Sequence, residues 1–289
     1  MSGSEAISPT AHYTGHVWVR NGLSHPGLAT VPGRVLFESL QPANRVSQAL
    51  GGPTLEGYLL ARHRAIDARL TEAIERHGIS QVLEVAAGLS PRGWRFAQRY
   101  GEGLTYVEAD LPDMAARKRR ALAELGSLGP EHRVVALDAL RPGGEGSVAE
   151  VAGELDPARG LAIITEGLLG YLPTEAVLGL WARFAAALER FERGRYLSDL
   201  HLGGVQTPVV RGFRLVLSAF VRGRVHLHFD AAADAERALV RAGFRSARVL
   251  GAAEVAGAAG GDAGAGASGT RPAHDSGSRL AHIIEASSK

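Results

Sequence analysis

The chain has 289 residues, of which 45% are hydrophobic and 21% charged, with a formal net charge of +2. That length supports one large α/β domain, or one domain with a small cap, and the absence of a strongly basic stripe argues against nucleic acid as a partner. Cysteine is absent, which excludes disulfides and thiolate metal sites, and no metal site is expected.

Nearly all the positive charge is arginine, since Lys118 and Lys289 are the only lysines. The first twenty residues lack the basic start and apolar run of a signal peptide. No apolar stretch approaches the ~20 residues that a membrane span requires. The expectation is a cytoplasmic protein that does not engage a membrane.

In chain order, residues 1–30 are polar with scattered aromatics, Tyr13 and Trp18 among them. An amphipathic pattern from Val35 to Ala49 is interrupted at Gln41-Pro42. A clearer helix spans Thr54 to Arg76, with Leu55, Leu59, Ile66, Leu70 and Ile74 near i, i+3/i+4 spacing, and Gly78 ends it. Short apolar runs then alternate with helical stretches. The strands read as 81–86, 104–110, 133–137, 160–166 and 196–200. Helices begin near Pro91, at Pro112 and at Thr174. Residues 203–229, rich in Arg, Phe and Val, read as a cap insertion over the sheet edge. A helix over 231–242 and a strand over 244–250 follow. Residues 251–278 are almost all Ala, Gly, Ser and Asp and read as a flexible loop. A last strand begins at Leu280.

Near-continuous apolar strands alternating with helices predict a mostly parallel sheet covered on both faces. The expected architecture is a Rossmann-like, seven-stranded α/β domain over 79–289, preceded by an N-terminal helical cap segment over 1–78. Ligands of such sheets bind outside the carboxyl ends of the strands. Four acids stand there: Glu84, Asp110, Asp138 and Glu166. Each alone could equally cap the next helix. Together they suit a nucleoside with a cationic side chain: Glu84 accepting from an amine, Asp110 from a ribose diol, Asp138 from the adenine amine. The turn after the first strand, E-V-A-A-G, lacks the repeated glycines that cradle a pyrophosphate. S-adenosylmethionine has no phosphate, so this turn favours it over a dinucleotide.

The run V-L-E-V-A-A-G-L-S-P-R-G-W-R-F resembles the first motif of the leucine carboxyl methyltransferase family. Y-V-E-A-D-L-P-D-M-A-A-R-K-R-R and I-I-T-E-G-L-L-G-Y-L-P are similar to its second and fourth-strand motifs, and G-Y-L-L-A-R-H-R-A-I-D to its arginine-bearing segment. The resemblance covers about residues 55–200. It implies a class I methyltransferase fold binding S-adenosylmethionine. Arg62 would hold the cofactor carboxylate, and the turn with Glu84, Ala86 and Gly88 would border the methionine part. Asp110 and Leu111 would sit at the ribose, Asp138 and Ala139 around adenine, and Glu166 at the amino-acid end. Where the family often reads G-L-D-T-R, this chain has G-L-S-P-R, and Ala86 stands where some relatives carry glycine.

T-G-H-V-W-V-R-N-G-L-S-H-P and G-G-P-T-L-E-G look more like the aromatic-polyketide, tetracenomycin-type branch. That implies O-methylation of a carboxyl or phenolic hydroxyl on an aromatic acid or phenol. A carboxylate needs no general base, whereas a phenol, with a pKa of about 10, does. The base candidates are Tyr171, His201 and the pair His226 and His228. Arg211, Arg214, Arg222 and Arg224 could attract an anionic substrate or form a solvated face. The competing readings are a methyltransferase-like protein with a non-methylating role, a protein C-terminal carboxyl methyltransferase, and a Rossmann oxidoreductase, which the missing glycine fingerprint opposes.

Overall fold

A computed structural model describes residues 9–49, 52–204, 226–260 and 280–289. Its centre is a seven-stranded sheet. The strands are β1 (Ile79–Val85), β2 (Thr105–Asp110), β3 (His132–Ala136), β4 (Gly160–Thr165), β5 (Gly194–Leu200), β6 (Ser246–Gly251) and β7 (His282–Ser287). Their spatial order is β3-β2-β1-β4-β5-β7-β6. The first five are mutually parallel. β7 runs antiparallel to both β5 and β6. The order reverses between β1 and β4, which puts the β1–α4 and β4–α7 turns side by side at the carboxyl edge.

The helices are α1 (Pro9–Arg20), α2 (Val31–Ala49), α3 (Leu55–His77), α4 (Arg92–Tyr100), α5 (Pro112–Glu124), α6 (Val148–Gly153), α7 (Thr174–Glu189), α8 (Ala232–Arg241) and α9 (Ala252–Gly260). They lie on both faces of the sheet. On one face Tyr13, Phe37, Tyr58, Ile66 and Val255 pack against Val82, Leu197 and Ile283. On the other, Trp181, Phe184 and Leu239 pack against Leu83, Ile163 and Tyr196. Val82 and Leu83 point to opposite faces, as the two-residue pleat of a strand requires. Both faces being covered, apolar residues such as Val82 and Leu83 stand on both sides of the strands.

Local signals set the boundaries of α3. The Thr54 hydroxyl accepts from the Gly57 N–H at 3.0 Å, satisfying one free donor of the first turn. Gly78 ends the helix in the left-handed region, with φ 67°. That aims the chain directly into β1.

Four features differ from the sequence reading. Helix α1 was not expected, because its buried face mixes Tyr13, Val17 and Trp18 with His12 and Thr14 and so lacks a clean apolar period. Helix α2 continues through Pro42 instead of breaking there. Pro42 and Glu38, whose carbonyl loses its donor, are both solvent-facing, so water can replace the lost bond. The short helix α6 was not expected either. Residues 252–260, read as the start of a flexible loop, form α9, which buries Ala252 and Val255 against the α3 side of the sheet. The rest of that loop, 261–278, and most of the insertion, including Arg211, Phe213, Arg214, Phe220, Arg222 and Arg224, lie outside the described residues.

Helix α4 approaches β2 closely at Gly93. A Cβ there would lie 2.4 Å from Glu108 Oε1, and Glu108 cannot easily retreat. It is fully buried, ion-paired with Lys118 and 2.7 Å from His132 Nε2. Gly93→Ala is therefore expected to cost about 1–3 kcal/mol through overpacking. Urea denaturation checks this, and an unchanged midpoint would contradict the packing described.

Candidate functional site

A cavity of about 410 Å³ opens at the carboxyl edge of the sheet, within the size range of small-molecule sites. All nine residues read as cofactor contacts line it: Arg62, Glu84, Ala86, Gly88, Asp110, Leu111, Asp138, Ala139 and Glu166. Helix α1 closes one side with Thr10, Ala11, Thr14 and Trp18, and Tyr171 and Leu172 lie on another. Among the described lining residues stand five carboxylates, counting Asp113, and a single guanidinium, Arg62.

The turn after β1 is bent by two residues in the left-handed region, Ala86 at φ 55° and Gly88 at φ 49°. For an alanine this conformation costs roughly 1–2 kcal/mol. Surrounding bonds hold it. Ala87 N–H donates to the Ala109 carbonyl at 3.0 Å, and Ser90 N–H to the Ala87 carbonyl at 2.9 Å. Lys118 Nζ donates to the same Ala87 carbonyl at 3.3 Å. Asp110 ties two loops together: one oxygen accepts from Gly88 N–H at 2.7 Å and the other from Leu111 N–H at 2.8 Å. Burial raises the Asp110 pKa, and these backbone donors oppose the rise. Each oxygen retains a further lone pair for a ligand. Asp138, after β3, accepts from Leu140 N–H at 2.9 Å in the same manner.

Beneath the cavity lies a buried ion cluster whose hub is Arg92. Its Nε donates to Asp67 at 2.6 Å, Nη1 to Glu84 at 2.5 Å and Nη2 to Glu166 at 2.6 Å. Glu84 also accepts from the Tyr106 hydroxyl at 2.7 Å. Glu166 accepts from Arg62 Nε at 3.1 Å and lies 2.7 Å from His63 Nδ1. Arg62 Nη1 reaches Asp199 at 3.1 Å, and Arg95 pairs with Asp67. Burial alone would raise the Glu166 pKa, but His63, Arg92 and Arg62 together hold it well below the ordinary value. The same opposition, through His63, Arg92 and Arg95, lowers Asp67. Glu166 and Asp67 are thereby held in their ionised form, and basic side chains face acidic ones throughout the cluster.

The sequence reading treated Arg62, Glu84 and Glu166 as separate ligand contacts. The structure joins them through Arg92, His63, Asp67 and Asp199, which that reading did not place at the site. The His63–Asp67 spacing of four on a helix was a usable signal; the partnership across 25 residues between Asp67 and Arg92 was not.

The two catalytic candidates separate. Tyr171 is 39% exposed and lines the cavity. His201 does not line it: its Nε2 lies 2.7 Å from the hydroxyl of Tyr58, which is fully buried. His226 and His228 brace the turn that carries Tyr171. His226 N–H donates to the Gly170 carbonyl at 2.9 Å. The His228 ring nitrogens lie 3.0 Å from the Thr174 hydroxyl and 3.0 Å from the Leu169 carbonyl. No cluster of metal-ligating side chains occurs among the described residues.

The family model for leucine carboxyl methyltransferase matches residues 26–185, more than half of the chain. The chain belongs to the leucine carboxyl methyltransferase family. It is 40% identical over 119 residues to a provisionally named S-adenosyl-L-methionine-dependent methyltransferase of Mycolicibacterium smegmatis, covering 41% of this chain and 37% of that protein. A like-named protein of Mycobacterium sp. strain KMS is 34% identical over 162 residues, covering 56% of this chain and 48% of its own. The matched stretches thus span less than half of these relatives. Among solved structures, a provisionally assigned methyltransferase from Thermobifida fusca YX superposes with a TM-score of 0.62 at 15% identity, over 96% of this chain and 97% of that one. A DUF574 family protein from Streptomyces avermitilis gives 0.60 at 14% identity, over 96% of each chain. These likenesses establish the class I methyltransferase-like fold.

Removing the hub of the cluster leaves three carboxylates facing one another in a buried space. Arg92→Met is expected to destabilise the protein by about 3–5 kcal/mol, read from urea or thermal unfolding. A loss under 1 kcal/mol would show that the cluster is not a structural unit.

Proposed function

We propose that the protein is an S-adenosylmethionine-dependent O-methyltransferase whose acceptor is a carboxyl, or secondarily a phenolic hydroxyl, of an aromatic polyketide-like small molecule. The observation that carries this reading is that the described residues of the cavity wall include five carboxylates and one guanidinium at the carboxyl ends of the strands. Such a wall suits a ligand with a sulfonium, an amine and a diol, and one carboxylate. It suits a pyrophosphate poorly, and the β1 turn, with Ala86 and Ala87 between Glu84 and Gly88, gives no phosphate cradle.

The residues divide the work by position. Asp110 accepts from the ribose hydroxyls while its other bonds fix the turn. Asp138 accepts from the adenine amine, with Leu111, Leu137 and Ala139 forming apolar walls around the ring. Glu166 and Arg62, set in place by the cluster, face the amino-acid end. The bound cofactor supplies an electrophilic methyl group on sulfur. The protein's part is to align the acceptor in line with it and to strip water from the nucleophile.

A carboxylate acceptor is favoured over a phenol because no histidine or lysine stands at the cavity among the described residues. His201 is bonded to Tyr58, and both His228 nitrogens face protein partners. An already ionised carboxylate needs no proton removed. Tyr171, beside Leu168 and Leu172, shapes the acceptor end. The family assignment and the polyketide-like N-terminal motifs support the same substrate class. Among the described residues no helix is long and apolar enough to cross a membrane.

The test is transfer of radiolabelled methyl from S-adenosylmethionine to a panel of aromatic acids and phenols. The expected product is an alkali-labile ester. Alkali-stable label would move the assignment to the phenol, and no transfer to any acceptor would sink it. In the same preparation Asp110→Ala is expected to weaken S-adenosylhomocysteine binding by about 10-fold or more without loss of fold; unchanged affinity would remove the ribose assignment.

A further inference from the structure

Trp18 lines the cavity from α1 and is 4% exposed. Its indole Nε1–H is buried and has no hydrogen-bond partner in the protein. Buried tryptophan N–H groups ordinarily find an acceptor. Eight residues earlier on the same helix, Thr10 also lines the cavity, and its Oγ1 is likewise buried without a partner. With Thr14 between them, these residues share one helix face. An unmet donor on a side chain that lines a cavity is a candidate partner for a ligand acceptor.

The path of α1 tells which part of the ligand this is. A Cβ on Gly88 would lie 3.8 Å from Ala11, and one on Gly15 would lie 3.3 Å from Leu89. The helix therefore crosses above the β1 turn. It ends with the Trp18 ring 4.9 Å from the His63 ring, and His63 contacts Glu166. Trp18 thus stands at the Arg62–Glu166 end, away from Asp138. An anionic ligand group arriving there meets mostly acids. Arg62 already spends Nε on Glu166 and Nη1 on Asp199. A neutral N–H supplies a further donor without disturbing the charge balance of the cluster.

Resting on the function proposed above, we infer that Trp18 is a cofactor-binding residue whose Nε1–H donates to the carboxylate at the amino-acid end of S-adenosylmethionine. Trp18→Phe removes the donor and keeps a ring against His63. Calorimetry compares S-adenosylhomocysteine with 5′-methylthioadenosine, which retains the nucleoside and thioether but lacks the amino-acid end. The substitution is expected to weaken S-adenosylhomocysteine about 10-fold, as for a hydrogen bond to a charged group, and to change 5′-methylthioadenosine by less than twofold. Fluorescence gives a second readout. Of the three tryptophans, only Trp18 lines the cavity, so the emission change on binding S-adenosylhomocysteine should vanish in Trp18→Phe.

Equal loss for both ligands would assign Trp18 to packing and overturn the inference. Unchanged binding of both, or an effect confined to the acceptor's KM, would overturn it as well. In those cases the wild-type protein still binds the nucleoside, and the methyltransferase reading stands. Wild-type protein that binds neither ligand would overturn both.

Discussion

The site rests on the three-way grip of Arg92 on Asp67, Glu84 and Glu166. One guanidinium, fully buried, bonds carboxylates from α3, β1 and the end of β4. Buried acids of this kind would otherwise protonate or repel one another. Paired with the guanidinium, they are fixed in place. The hub thereby determines how far α3 stands from the sheet, where Arg62 can point, and which face of Glu166 is turned to the cavity. A bidentate fork is the side chain suited to this, since its donors diverge in a rigid plane.

A second device lies a few residues away. The Glu108–Lys118–His132 group ties α5 to β2 and β3, and the lysine reaches the carbonyl of Ala87. Asp110 then fastens Gly88 and Leu111. The left-handed Ala86 is held between these two supports. The β1 turn is therefore a preorganised part of the wall, and the proposed cofactor would not have to order it on binding.

Much of this was legible in the sequence, for identifiable reasons. A parallel sheet buried on both faces leaves apolar runs such as V-L-E-V, so the strands stood out. Acids at strand ends marked the cavity rim, and all nine residues named from them and from the family motifs line one cavity. What escaped was of two kinds. Long-range pairing, as between Asp67 and Arg92 or Arg62 and Asp199, leaves no local pattern. Helices whose buried face is small or polar also escaped. Helix α1 hides Thr14 and His12 among its aromatics, and α9 is nearly all Ala and Gly. The α1 omission mattered most, because that helix supplies the cavity wall that the strand pattern could not. His201 was named for its place after a strand, but its ring is directed to Tyr58 rather than to the cavity.

An acid-rich cavity, a glycine-poor turn and a buried ion cluster together form the proposed seat for a sulfonium nucleoside. The most direct measurement is a crystal structure with S-adenosylhomocysteine. The account predicts the ribose hydroxyls at Asp110, the adenine between Leu111 and Ala139, and the amino-acid end against Arg62 and Glu166 with the cluster intact. A nucleoside seated elsewhere on the chain, or one with its amino-acid end turned away from Arg62, would contradict it.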